Sequence, residues 1–521
     1  MKDLEGVNIA SKEQLVCFMT GAGGSGKSRV IKAICEYARA FCINLNVPFT
    51  RRTVAVTALT GAAAVSIAGE TTHSACCLNA NENTTRAKKE EWENCHLVFV
   101  DEVSFAGKDT IEKLHQKLCV LAGQPNKNRP FGGYNIVFSG DFSQLAPVGA
   151  MPVFLYDDFV PWREWVNTFL ELRTSHRFNG DPEWGHILDR FRGTGPTSED
   201  VEKINSRVIG SAGGPVGDDV PNDAIFAVRT NAERNAITDG IFLRHLAATH
   251  SKDPLQQPPM HTIVIRADKL RWKKSGSRRE YVKFNKIAED LLYAGCSDDN
   301  LCVQKSRRID PLLKLYSGCP IMLNQNTDVE RCEANGARCT FVKAKLNVPI
   351  SMLEKVVIEG YYVWCASVSQ VDSLLVRNED APTADNEEQP VFELKAATET
   401  CTVNFPVPLL SSEGITKKTF RMKQRMQIRQ FPINLANATT VHKLQGRSLR
   451  YLVILGFDPR DNWIYVVLSR VRMLKGLFLC KPLLERQVKG MSADLLSFLD
   501  IFRQTKAPQA AVSDPYRREY N

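Results

Sequence analysis

Residues 21–28 read Gly21-Ala22-Gly23-Gly24-Ser25-Gly26-Lys27-Ser28, the pattern G-x-x-x-x-G-K-S. An apolar run, Val16-Cys17-Phe18-Met19-Thr20, precedes it, and a helical pattern over 29–40 follows. This strand–loop–helix order narrows the fold sharply. The glycines let backbone N–H groups wrap phosphate oxygens, so Gly21, Gly23, Gly24, Ser25 and Gly26 are candidate nucleotide contacts. Lys27 is placed to reach the β and γ phosphates, and Ser28 offers a hydroxyl to Mg²⁺. The expected cofactors are ATP and Mg²⁺.

Three more apolar runs follow, over 53–57, 96–100 and 134–138. Strands separated by helical stretches predict a parallel sheet with crossovers, whose ligands bind at the carboxyl ends of the strands. Each run ends in a polar or glycine-bearing motif. A second unit is expected from about residue 171, with strands over 224–228, 451–455 and 476–480. Short strands and turns between about 318 and 429, such as 355–358 and 361–364, read as a β-rich insertion containing an acidic loop over 378–389. The expected organisation is a first core over 1–170 with a short wedge over 76–95. A second core follows over 171–318 and 430–503, with the insertion over 319–429. The polar tail over 504–521, with Pro508 and Pro515, is expected to be disordered.

With 521 residues, the chain is too long for one core. Its net charge of +9 favours a polyanionic partner without establishing one. The 15 cysteines form no C-x-x-C pair, which argues against a disulfide framework or zinc module and for reduced thiols inside a cell. His73, Cys76 and Cys77 lack a second ligand pair at zinc-like spacing. No secretory leader or membrane span is expected.

Chemistry gathers at the strand ends. Asp101 and Glu102 follow the third run. A carboxylate there holds the metal and its neighbour orients water, so Asp101 is the candidate metal ligand and Glu102 the candidate base. Gln144, in Gly140-Asp141-Phe142-Ser143-Gln144, is a candidate sensor of the γ-phosphate. Arg177 and Arg470 are candidates to meet that phosphate from the second unit. Basic residues interleaved with aromatics over 269–286, and a basic run over 417–429, are candidate nucleic-acid faces or simply solvated cationic surface.

The order of motifs resembles superfamily-one helicases of the RecD-like, PIF (petite integration frequency) type. Thr57-Ala58-Leu59-Thr60-Gly61-Ala62-Ala63-Ala64 through Thr72-His73-Ser74 is similar to their T-A-x-T-G-x-A-A…T-x-H-S. Val100-Asp101-Glu102-Val103-Ser104 resembles V/I-D-E-x-S. Phe131-Gly132-Gly133, with Gly140-Asp141-Phe142-Ser143-Gln144-Leu145-Ala146-Pro147-Val148, resembles F-G-G…G-D-F-x-Q-L-P-P-V. Gly318, Met322, Leu323, Asn326, Asn335 and Gly336 fit G-x-x-V-M-L-x-x-N…N-G. Thr439-Thr440-Val441-His442-Lys443-Leu444-Gln445-Gly446 and Tyr465-Val466-Val467-Leu468-Ser469-Arg470-Val471-Arg472 resemble the last two motifs. The matches run from about 19 to 480.

The resemblance implies an α/β fold with two RecA-like cores and a small β-rich, SH3-like insertion in the second. It implies ATP-dependent unwinding of DNA with 5′-to-3′ translocation, in repair, recombination or telomere maintenance. The partners implied are single-stranded and forked DNA, bound by a monomer and without a membrane, in the nucleus or the mitochondrion. Carried over by motif, Thr57, Thr60, Gly61 and His73 touch the strand from the first core. His442, Lys443 and Gln445 touch it or couple to ATP from the second, and Gly446 lies near the nucleotide. Three departures stand out. Gln14 sits almost against the first strand, where the family's adenine-reading glutamine lies well upstream. Ala146 replaces a proline. The segment 172–207 looks closest to helicase portions of Helitron-type rolling-circle transposons. A catalytically inactive nucleic-acid clamp and an RNA helicase of the viral superfamily-one type remain the rival readings.

Overall fold

The computed structural model describes residues 14–506 except 79–83, 124–125, 148, 157–158, 160, 271, 276–277, 282–309, 326, 329–330, 332, 334, 380, 382–387 and 412–413. Side chains over 270–309 and 400–426 also lie outside the described set.

The first unit is built on six parallel strands. They are β1 (Val16–Gly21), β2 (Val54–Ala58), β3 (Glu70–Thr71), β4 (Leu97–Asp101), β5 (Asn135–Gly140) and β6 (Thr168–Leu172), in the order β3-β2-β4-β5-β1-β6. All six residues of β1 are buried because helices cover both faces, so its sequence is apolar without alternation. Cys17 and Met19 face a layer containing Ile31 of helix α1 (Lys27–Asn44). Val16 and Phe18 face the opposite layer, with Leu114 and Leu118 of helix Lys108–Ala122.

The second unit has four parallel strands, β7 (Ile225–Val228), β8 (Ala438–Thr440), β9 (Leu452–Ile454) and β10 (Leu477–Leu479), ordered β8-β7-β9-β10. Helices Pro182–Phe191 and Trp463–Leu468 pack on it through Trp184, Ile187, Trp463 and Val467. Among the described residues, no helix is long and apolar enough to cross a membrane.

Three expected boundaries move. Glu171 pairs with Thr20 inside β6, so the first unit runs through Leu172 rather than ending at 170. The β-rich region begins at Thr262, not 319. Strand Thr262–Arg266 joins Leu312–Tyr316, Glu354–Ile358 and Tyr361–Ser367 in one sheet, and Ile433–Leu435 closes a second sheet with Pro320–Leu323, Arg338–Leu346, Val371–Asn378 and Val391–Leu394. These sheets share a core through Ile263, Leu315, Phe341, Leu374 and Ile433. A long antiparallel hairpin, Ala397–Ser411 with Gly414–Gln430, extends from it. The third correction concerns helix Ala493–Thr505, which was expected in the second core. Its Leu495, Leu499 and Phe502 pack in the first, beside Phe18, Trp162 and Phe169. Arg503 bonds Glu171 at 2.6 Å, and the Lys506 carbonyl accepts from Phe169 N at 2.9 Å. Of the tail expected over 504–521, Gln504 and Thr505 instead close this helix and 507–521 lie outside the described residues, as do 79–83 of the wedge, whose helix Arg86–Trp92 buries Trp92 against Tyr134.

The Phe502 ring lies 5.7 Å from Phe169 and 5.9 Å from Phe18. Phe502→Ala should therefore destabilise the first unit by about 3–5 kcal/mol. Denaturant unfolding followed by a probe in that unit checks this; a shift confined to the second unit would reverse the assignment of the helix.

Candidate nucleotide site between two cores

The loop after β1 takes its shape from two left-handed residues, Gly24 at φ 86° and Gly26 at φ 96°. A side chain at Gly24 would also collide with the Cβ of Arg177. Glycine is thus required twice over, by conformation and by space. Gly26 caps α1 without a side-chain bond, leaving the first N–H groups of the helix directed at the loop. Lys27 Nζ donates to the carbonyls of Gly21 (2.7 Å) and Ala22 (3.2 Å). Desolvation pulls its ammonium below the usual range, and Asp141, Glu102 and Asp101 oppose that. The Ser25 hydroxyl is sheltered and bonds no protein group.

Two carboxylates face this loop from the end of β4. Asp101 is 5% exposed, and burial raises its pKa. Glu102 adopts φ 57°, ψ 41°, a left-handed conformation that costs a non-glycine residue roughly 1–2 kcal/mol. The turn fits because Gly140 leaves room: a Cβ there would lie 3.0 Å from Val103 N. Burial, then the charge of Asp101, pushes the Glu102 carboxyl up to about 7. Its Oε2 is sheltered and has no partner among the described residues. On the other side, a Cβ at Gly446 (φ 79°) would approach Glu102 Oε1 to 3.4 Å, so Gly446 faces the candidate base.

The segment after β6 clasps the loop. Ser175 Oγ donates to the Gly23 carbonyl (3.1 Å) and His176 N to that of Gly24 (2.9 Å). This places Arg177 and Arg470 together: Arg177 Nη1 would lie 2.9 Å, and Arg470 Nη2 3.5 Å, from a Cβ on Gly23. Arg177 donates to the Ser469 carbonyl (2.9 Å). Arg470, only 1% exposed, donates to the Val466 carbonyl (2.8 Å) and Ser469 Oγ (2.7 Å). Desolvation, then the charge of Arg470, lowers Arg177 to about 9; desolvation also lowers Arg470. Two guanidinium groups bonded to neutral oxygens beside a phosphate-type loop form a receptor for an anion. The Ser28 hydroxyl and the buried Asp101 carboxylate are also oxygen donors that suit Mg²⁺ with its water shell.

Contacts across the two units appear that motif reading had not assigned. Gln445 Nε2 donates to Ser104 Oγ (3.3 Å), and Asn462 Nδ2 to the Gln144 carbonyl (3.0 Å). The Gln144 amide approaches Asp141 Oδ2 at 3.5 Å, and its Oε1 has no protein partner. Ser104 was visible within V-D-E-x-S, whereas Asn462 carried no sequence signal.

The carried-over strand contacts divide. Thr57 is fully buried, with its hydroxyl donating to the Phe99 carbonyl (2.7 Å) and 3.0 Å from Thr72 Oγ1. It braces the turn and is not placed to touch a strand, a correction. Thr60 caps helix Gly61–Ser66 through Ala63 N. Gly61 packs under the Asn335 carbonyl, 2.6 Å from where a Cβ would stand. His73 and Lys443 are exposed, and His442 is half-buried. Gln14 donates to the carbonyls of Pro130 (2.6 Å) and Tyr134 (2.7 Å) at the opposite end of β1 from the loop, so it is not placed to read a base. The side chains of the basic stretch from 270 to 286, and those of 417–426, lie outside the described set.

A base with a pKa near 7 works only when deprotonated. The kcat/KM for ATP should therefore fall about tenfold per pH unit below pH ~7, because kcat/KM reports groups of the free protein. A flat acid limb in initial-rate measurements would remove Glu102 from that role.

Residues 4–176 match the model of the PIF1-like helicase family. The chain is 26% identical over 472 residues to the human ATP-dependent DNA helicase PIF1, covering 88% of this chain and 57% of that one. It is 30% identical over 234 residues to the Saccharomyces cerevisiae protein of the same description, covering 42% of this chain and 25% of that one. It thus spans about half the length, or less, of these curated relatives. Among solved structures, Bacteroides Pif1 bound to single-stranded DNA matches with TM-score 0.59 at 18% identity, covering 95% of this chain and 94% of that one. Candida albicans Pif1 helicase matches with TM-score 0.60 at 18% identity, covering 94% and 96%. These matches carry the α/β fold with two parallel-sheet cores of RecA-like type. Over residues 4–176 the chain is similar to the PIF1-like helicase family.

Proposed function

We propose that this protein is an ATP-dependent DNA helicase that moves 5′-to-3′ on single-stranded DNA and opens duplexes ahead of it. One observation carries the reading. The Glu102 carboxyl, whose sheltered Oε2 has no partner among the described residues, stands across a phosphate-type loop from two arginines that bond no carboxylate among those residues, and those groups come from both cores. Such a site is complete only when the cores approach each other, which couples hydrolysis to motion. Lys27, Arg177 and Arg470 neutralise the phosphates, Glu102 takes a proton from the attacking water, and Gln144 senses the γ-phosphate. Ser28 and Asp101 would hold Mg²⁺, which would supply charge neutralisation at the phosphate oxygens. Gln445, on Ser104, links the second core to the turn that bears Glu102.

Thr60, Gly61, His73, His442 and Lys443 form the surface offered to the strand. The descriptions of the relatives support DNA as the partner, as do a Pif1 structure with ADP-AlF3 and single-stranded DNA and another at forked duplex DNA. Repair, recombination or telomere maintenance in the nucleus, with the mitochondrion as the other compartment, is the setting we propose.

Glu102→Gln should lower DNA-stimulated ATP hydrolysis at least ~100-fold while leaving DNA affinity intact. Retained turnover would sink the base assignment, and an inactive parent protein would favour a clamp without hydrolysis. Duplexes with a 5′ single-stranded tail should be unwound and those with only a 3′ tail should not; the reverse pattern refutes the direction. Stronger stimulation by RNA than by DNA would favour an RNA helicase.

A further inference from the structure

Helix Pro182–Phe191 of the second unit ends at Arg192. From there Arg192 Nη2 reaches into the first unit, 3.5 Å from Asp141 Oδ1. The Asp141 side chain is 1% exposed and that of Arg192 18%. Asp141 opens the turn after β5 and braces it. Its Oδ1 accepts from Ser143 N (3.0 Å), its Oδ2 faces the Gln144 amide (3.5 Å), and its carbonyl accepts from Gln144 N (3.0 Å). The geometry of the Gln144 turn therefore depends on this carboxylate.

Asp141 is also a rival for Lys27. Of the three carboxylates acting on that lysine, Asp141 acts most strongly. Burial alone would raise the Asp141 carboxyl, but Arg192 and then Lys27 outweigh it and hold it below the usual range. Arg192 is held above its own usual range: Asp141 leads the opposition to its desolvation, with Tyr465 and Asp189 behind. The Arg192 Nε is sheltered and bonds no group among the described residues. One buried anion thus meets the guanidinium of the other core at 3.5 Å and also feels the charge of Lys27 from its own.

We infer that Arg192 is a positioning residue of the nucleotide site: it neutralises Asp141 from the second core, leaving Lys27 for phosphate and tying the Gln144 turn to core closure. This rests on the nucleotide-site reading above. Without Arg192, Lys27 is the remaining cation acting on this buried carboxylate, and a lysine drawn toward a carboxylate is less available to phosphate. The cost comes from the charge left behind, so deleting that charge should relieve it.

The test is a double-mutant cycle on the full chain, reading affinity for a fluorescent ADP analogue with Mg²⁺ by equilibrium titration. Arg192→Gln should weaken binding on the order of tenfold, and Arg192→Lys less. Adding Asp141→Asn to Arg192→Gln should restore binding toward that of the parent. A double variant as weak as or weaker than Arg192→Gln, or unchanged affinity in the single variant, overturns the inference. A merely structural role would change unfolding midpoints without this rescue of affinity in folded protein. If Arg192→Gln does not fold, Arg192→Lys with and without Asp141→Asn gives the same sign test. A parent protein that binds nucleotide without DNA-stimulated hydrolysis defeats the helicase reading, while the affinity cycle still decides on Arg192. A parent that binds no nucleotide defeats both.

Discussion

Arg177 and Arg470 converge on Gly23, bonded there to carbonyl and hydroxyl oxygens and, among the described residues, to no carboxylate. Bringing two guanidinium groups together out of water is unfavourable unless an anion joins them. Much of the surrounding architecture serves this arrangement. Ser175 and His176 fasten the Arg177 segment to the loop through its own carbonyls. Helix Trp463–Leu468, every residue of it buried, sets Ser469 and Arg470 at its end. The cations therefore belong to the second unit's packing, while the groups they face belong to the first.

The opposing wall is built from strand ends. β4 and β5 are neighbours, so Asp101, Glu102 and Asp141 emerge side by side. Their mutual repulsion and burial raise Glu102, whereas Asp141 escapes the same fate through Arg192 and Lys27. Two carboxylates in one cleft thus acquire different protonation behaviour from different neighbours, the usual physical route to separate roles. The left-handed backbone at Glu102 turns its carboxyl toward Gly446 of the other core. A site divided in this way draws its groups from both units.

Helix Ala493–Thr505 adds a second connection between the units. The chain leaves the second core after β10 and returns to the first, where Phe498 and Phe502 enter a cluster with Phe18, Phe142 and Trp162. Gly490 passes close against the Gly193 carbonyl, and Met491 Sδ lies 3.9 Å from Ser143 Oγ. The crossing therefore occurs beside the turn that carries Gln144, so the cores meet both at the cleft and at this strap.

Local pattern determined a good deal. The glycine spacing of 21–28, apolar runs ending in Asp101-Glu102 and in the Gln144 motif, and the Arg470 motif each mark a strand or helix end, and such ends depend on neighbours in sequence. The same reasoning overreached where burial decides: Thr57 lies in a motif that suggests contact with a strand, yet its hydroxyl is spent inside the core. It also misplaced helix 493–505, because an amphipathic helix does not encode which of two apolar surfaces it will cover. Only the tertiary structure decided that Arg192 meets Asp141, that Gln445 meets Ser104, and that two arginines share one glycine. The physical reason is that a charge's partner, and hence its protonation and its use, is set by which residues desolvate it together, and those residues lie far apart along the chain.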